Sequence, residues 1–154
     1  MSHAVGTVWR ALAQCGALLL VGALCAPAVR AESAGLVKRV SGTVVVVRSG
    51  QTLPVALGFV VQPGDVVTTA TASSVGLVLR DNSCVGIGPQ SRYTIEQFRF
   101  DAKTHAGLFA SSLAQGSLSM ISGKLARQSP DAVTVQTPAT MLGVRGTQFL
   151  VEVP

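Results

Sequence analysis

The sequence predicts a single all-β domain of about ten short strands behind an N-terminal export segment. Three observations carry this reading. From Gly35 onward, short runs rich in Val, Thr, Leu and Ile are separated by Gly, Asp, Asn, Ser and Pro at intervals of about ten residues. Helical periodicity is weak through the same region, where only Leu108–Leu113 is open to a turn or two of helix. The 154 residues are 48% apolar and 12% charged, which suits one packed domain and excludes long disordered tails. About ten strands in about 120 residues fit a sandwich-like fold, a barrel, or a short β-solenoid or β-roll, and periodicity does not choose among them.

Residues 1–31 read as a signal peptide that forms an N-terminal helix, and residues 32–154 as the domain. No charge lies between Arg10 and Arg30, and Ala11–Ala26 holds the run Ala17-Leu18-Leu19-Leu20-Val21-Gly22-Ala23-Leu24. A short basic head, an apolar middle and a small-residue exit are the layout of a secretory signal. Cleavage after Ala31 fits Val29-Arg30-Ala31, and cleavage after Ala28 fits Ala26-Pro27-Ala28. The rival reading is an uncleaved anchor, since Ala11–Val29 gives 19 uncharged residues and a spanning helix needs about 20. Gly16, Gly22 and Pro27 weaken that helix. Lipidation at Cys25 is disfavoured by Leu24 before it, where such signals want Gly, Ala or Ser.

Loss of residues 1–31 removes Arg10 and Arg30 and leaves 10 basic against 7 acidic residues, so the net charge falls from +5 to +3. The basic balance therefore does not point to nucleic acid. Cys84 becomes the one remaining cysteine, so packing rather than an internal disulfide stabilises the exported domain. It reads as a small apolar strand residue rather than a reactive thiol.

Along the domain, Val40–Arg48 carries Val44, Val45, Val46 and Val47 in sequence, apolar on both faces, as in a strand buried on both sides. Ser49-Gly50-Gln51 turns it into Leu53–Val61. In Gln62-Pro63-Gly64-Asp65, proline presets φ at the first central position and glycine takes the positive φ of a type II turn. Val66–Thr69 resumes the strand. Val75, Leu77 and Leu79 alternate with Gly76, Val78 and Arg80; Asp81-Asn82-Ser83 closes that strand; Val85 and Ile87 open the next between Gly86 and Gly88, glycines that admit close backbone approach. In Ser91–Phe100, Tyr93 and Ile95 share one phase and Phe98 and Phe100 the other, which indicates a bulge. Asp101–Gly107 is the most polar loop, Leu118 and Met120 alternate with serines, and Ser122–Asp131 reads as an exposed connection. Val133 and Val135 precede Thr137-Pro138 and a closing run Met141–Val153.

This order of turns and strands resembles a known family. Gly35-x-Val37-x-x-Val40-x-Gly42-x-Val44-x-Val46-x-Arg48, then Pro63-Gly64-Asp65-x-Val67-x-Thr69, Leu77-x-Leu79-x-Asp81-x-Ser83, Gly116-x-Leu118, Val135-x-Thr137-Pro138-Ala139 and Gly143-Val144-Arg145-Gly146-Thr147-x-Phe149 are similar to the FecR-type extracytoplasmic domain of bacteria. The last block is the most specific piece. The resemblance implies an all-β domain outside the cytoplasmic membrane, in which Gly64, Asp65, Asp81, Gly143, Arg145, Gly146 and Thr147 are motif positions with structural roles. The best-known members sense an outer-membrane receptor in iron-siderophore uptake and signal through a transmembrane helix to a cytoplasmic segment that binds a sigma factor. Only nine residues precede Arg10, which leaves no room for that segment. The sequence also stops at Val153-Pro154, where further strands are expected, and an unfinished edge would offer backbone groups to a partner strand.

No catalytic constellation forms in the sequence. His105 is the domain's one histidine and reads as a loop residue. His105 and Cys84 alone are too few for zinc, and no cofactor is implied. Asp65, Asp81, Glu96, Asp101 and Asp131 are scattered, with Asp65 and Asp81 in turns where carboxylates cap amides. Arg145 is expected to pair with Asp65 or Asp81, or else to meet a partner's carboxylate. Lys38-Arg39 and Lys124 with Arg127 lack interleaved aromatics, so nucleic acid is excluded as a partner. A domain without Trp and with one Tyr is a poor sugar binder.

The expectation is a non-enzymatic, periplasmic or secreted cell-envelope protein that binds another protein or an envelope component, touching membrane only if residues 1–31 stay attached. The alternative is a membrane-anchored periplasmic component of a sigma-factor signalling system. Oligomeric state is left open.

Overall fold

The computed structural model describes residues 32–145 and 148–154; the export segment with both cleavage positions, and Gly146 and Thr147, lie outside the described residues. The elements run β1 (Gly35–Ser41), β2 (Val44–Arg48), β3 (Gln51–Pro54), β4 (Val60–Val61), β5 (Val66–Thr69), β6 (Ser74–Leu79), β7 (Cys84–Ile87), β8 (Arg92–Phe100), β9 (Gly107–Ile121), α1 (Lys124–Gln128), a 3₁₀ turn (Pro130–Ala132), β10 (Val133–Gln136), β11 (Met141–Gly143) and β12 (Gln148–Val153). The strands join in one sheet of order β3-β2-β5-β8-β9-β7-β6-β1-β4, with β10 and β12 also on β9 and β11 on β10. The sheet curls into a half-barrel around one apolar core.

All pairings but β9–β10 are antiparallel. That overturns the solenoid expectation, because stacked solenoid coils pair in parallel, and the all-β class holds with twelve strands rather than about ten.

Local chemistry accounts for most of the elements. Ser49 (φ 49°) and Gly50 (φ 80°) both take left-handed backbone, the two-residue turn whose twist matches a hairpin, and it sets Arg48 opposite Gln51. The expected strand Leu53–Val61 is split. Pro54 ends β3, having no amide to donate, and the chain turns through Ala56-Leu57-Gly58 before β4. In β2, Val44 and Val46 are buried while Val45 and Val47 are half-buried, so one face of the strand meets the core and the other is only partly covered. Val75, Leu77 and Leu79 of β6 all point inward. The register slips between Ile95 and Gln97 of β8, and this bulge keeps Phe98 and Phe100 on the core side.

The longest strand holds the two halves together. Gly107–Gln115 of β9 pairs with β8 and β10, and Gly116–Ile121 with β7 and β12. Phe109, Ser111 and Leu113 point inward in the first half and Leu118 and Met120 in the second, so the inward set changes phase between them. Tyr93 faces Leu113 while Arg92 faces Gln115, which makes Ala114 the extra residue of a bulge. Gly116 follows with φ 94°, and a Cβ there would run into Ser91. The Ser91 hydroxyl accepts from the Ser117 amide (3.0 Å) and donates to the Pro89 carbonyl (3.1 Å), fixing the bend. Leu108–Leu113 is thus strand, not helix: its period is two once β8 and β10 flank it. The expected exposed connection Ser122–Asp131 instead holds α1, which buries Leu125 and Ala126.

Tyr93 is fully buried, with Ser111 beside it, and its hydroxyl makes no well-formed hydrogen bond among the described residues. Burial raises its pKa well above the usual value. The native phenol stays protonated where the unfolded chain ionises, so this contribution is complete below about pH 10 and is lost as pH rises further.

Gly116→Ala should lower unfolding free energy by about 2 kcal/mol in denaturant titration, through left-handed backbone and the clash with Ser91. Above about pH 10, the phenolate absorbance of the single tyrosine should rise together with loss of β-sheet circular dichroism. Ionisation of a still-folded protein would contradict the burial argument, and Tyr93→Phe should be no less stable at neutral pH.

Candidate functional site

The Gly64-Asp65 turn is built as the sequence reads. Gly64 has φ 90° and the Asp65 amide donates to the Gln62 carbonyl at 3.2 Å, a type II turn. The turn docks on β8, with the Gly64 amide donating to the Ile95 carbonyl (2.6 Å) and the Ile95 amide to the Asp65 carbonyl (3.1 Å). Asp65 is fully buried. Its carboxylate accepts from Arg48 Nε and Nη2, both at 2.7 Å, and from the Gln62 amide at 2.8 Å. Arg48 also donates to the Val60 carbonyl (2.8 Å) and lies 5.4 Å from the Phe59 ring centre. A planar guanidinium meeting a carboxylate with two bonds is the strong form of this pair, and Asp65 raises the Arg48 pKa still further above its usual value.

Asp81 is also fully buried, without a cation beside it. Its carboxylate accepts from the Ser83 amide (3.0 Å) and hydroxyl (2.7 Å). The Ser83 hydroxyl accepts in turn from the Gly123 amide (2.9 Å), and the Asp81 carbonyl from the Lys124 amide (2.8 Å). The Asp-x-Ser motif thereby ties the β6–β7 turn to the start of α1.

Arg145 reaches neither buried acid. It pairs with Asp131 at 2.9 Å, both side chains largely exposed, because Arg48 already fills Asp65 and α1 covers Asp81. Gly143 ends β11 with open space where a Cβ would stand. Asp101 accepts from the Lys103 amide (2.7 Å) and the Thr104 amide (3.3 Å), bonds that lower its pKa. His105 stacks on Phe100 at 6.0 Å. Cys84 opens β7, a strand residue, and its side chain is exposed. Among the described residues, no three of His, Cys, Asp and Glu lie close enough together to hold a metal ion, and no helix is long and apolar enough to cross a membrane.

The feature that alternation alone did not reveal is a groove of about 480 Å³ on the sheet face opposite the core. Its floor is a row across five strands, Arg39, Gly76, Gly86, Ser119 and Leu150, each facing the next. One wall is the neighbouring row Val78, Cys84 and Ile121. A Cβ on Gly86 would stand 2.7 Å from the Ser119 hydroxyl, so the floor is as low as the two strands allow. The outward positions of β6, β7 and β9 look individually polar or small in the sequence. Only the strand order β1-β6-β7-β9-β12 lines them up.

A family model described as "FecR protein" matches residues 65–153. No curated protein matches the chain. A solved structure described as "Cell surface anchoring domain" aligns with 29% identity and a TM-score of 0.39, over 40% of this chain and 82% of that one.

The buried pair makes an asymmetric prediction. Arg48→Met leaves the Asp65 carboxylate buried with one amide donor and should cost about 3 kcal/mol or more. Asp65→Asn keeps the Gln62 contact and should cost about 1–2 kcal/mol. A double-mutant cycle by denaturant unfolding should show strong coupling, and additive losses would show that the pair is not a unit.

Proposed function

The chain belongs to the FecR family, and on that basis we propose that it is a non-enzymatic protein of the bacterial cell envelope whose domain binds another protein or an envelope component. The observation that carries this reading is how the motif residues are used. Asp65 and Asp81 are buried and spend their oxygens on Arg48, Gln62 and Ser83, so they hold turns in place and are withdrawn from chemistry. What the domain offers to other molecules is its outer sheet face. The sequence before Glu32, with its signal-like layout, supports export to the periplasm or beyond.

A second reading follows from the same family membership: a membrane-anchored component of a sigma-factor signalling system that works with a separate cytoplasmic partner. N-terminal sequencing of the protein from cells separates the two, since a start at Glu32 or Val29 removes the anchor. Cell fractionation should place the protein in the envelope or medium, and the immobilised full chain should retain an envelope component above background. Cytoplasmic recovery with nothing retained would overturn the proposal.

A further inference from the structure

We infer that the groove on the outer face of β1, β6, β7, β9 and β12 is a peptide-binding site for an apolar segment of a partner protein with an acidic end, held at Lys38 and Arg39. This rests on the binding role proposed above and assigns the surface and the chemistry it selects.

The cations are placed by a backbone irregularity. In β1, Val37 faces Leu77 and Arg39 faces Gly76, so Lys38 is an extra residue and the strand bulges there. In a regular strand, Lys38 and Arg39 would point to opposite faces. The bulge turns both outward, and both are exposed and line the groove. Bulges re-aim side chains in this way, commonly beside sites. Neither cation makes an ion pair among the described residues. No carboxylate lines the groove, and Glu152 sits on β12 at the far end, opposite Ser117. The groove is therefore positive at its β1 end, which orients a ligand.

The rest of the surface asks for apolar side chains on a peptide backbone. Val60, Leu36, Val78, Cys84 and Ile121 form a stripe across five strands. Within it Leu36, Val60 and Ile121 are 38%, 41% and 49% exposed, and Leu150 on the floor row is 72% exposed. Four exposed large apolar side chains on one face mark an interaction surface. The lining at Gly76, Gly86, Gly88, Ser117 and Ser119 is low and carries two hydroxyls. It lets a peptide backbone approach closely and meet serine hydroxyls. From β1 to β12 the floor spans roughly 20 Å, the reach of about six extended residues.

The test is selection of a random peptide library on the intact protein, with binding of the enriched synthetic peptides measured by fluorescence anisotropy. Enriched sequences should combine apolar residues with Asp or Glu at one end and should bind less well as salt is raised. Lys38→Glu with Arg39→Glu should weaken them about tenfold or more; Leu108→Ser, on an exposed position outside the groove, should not. Both altered proteins should keep the wild-type melting curve, because the positions are exposed. The inference is overturned if no peptide is enriched, if enriched peptides lack acids, if charge reversal leaves binding unchanged, or if anionic vesicles bind in place of peptides. Retention of an envelope component by the charge-reversed protein would remove this assignment and leave the broader binding role standing. Peptide binding without any envelope component retained would do the opposite.

Discussion

The two ends of the sheet are linked through β9, which must serve β8 and β10 with its first nine residues and β7 and β12 with its last six. A straight strand cannot do this while keeping apolar side chains on the core side, because the curl rotates the inside of one half relative to the other. The extra residue at Ala114 and the left-handed Gly116 supply the rotation, and the Ser91 hydroxyl locks it. Change the phase of β9 and either Phe109 and Leu113 or Leu118 and Met120 must face water. The single core therefore depends on a backbone conformation that glycine reaches with little strain.

Two buried acids finish what β9 begins, and they do so differently. Asp65 is compensated by a guanidinium from β2, so the β2 end, the β4 strand and the β5 start are tied through one bidentate contact. Asp81 is compensated only by a hydroxyl and an amide, and it seats the short helix that follows β9. Both are local turn formers first. Their burial turns each local turn into a junction between segments distant in sequence.

Much of this is legible in the residues themselves. Pro63-Gly64 gives its turn, Val75, Leu77 and Leu79 give their inward face, and the phase change in Tyr93–Phe100 gives a bulge where one is found. The partners of the acids are not legible. Arg145 stands in the most specific motif block and Arg48 closes the first one, yet only the pairing of β2 with β5 decides which guanidinium reaches Asp65. Leu108–Leu113 is short and apolar, a pattern that helix and strand share until its neighbours are known. The groove was hidden for the same reason: Arg39, Gly76, Gly86, Ser119 and Leu150 are spread over more than a hundred residues and become a surface only through strand order. Lys38-Arg39 looks like an ordinary basic pair until the register shows that both side chains share a face.

The placement of β9 also governs the order in which the molecule can assemble. The β2–β3, β6–β7 and β8–β9 hairpins have neighbours close in sequence and can form early, but among the described residues no strand pairing links β8 to β7 except through Gly107–Ile121. Closure then requires β9, already in a hairpin with β8 across the loop 101–106, to find β7, β10 and β12, with loop entropy spent before most of the apolar surface is covered. Docking of this one strand, rather than formation of the turns that are so conspicuous in the sequence, is then the step expected to limit folding. Until it docks, the hairpins carry unpaired edges rich in valine, so the interval before β9 arrives is when the chain is most exposed to pairing with the wrong strand.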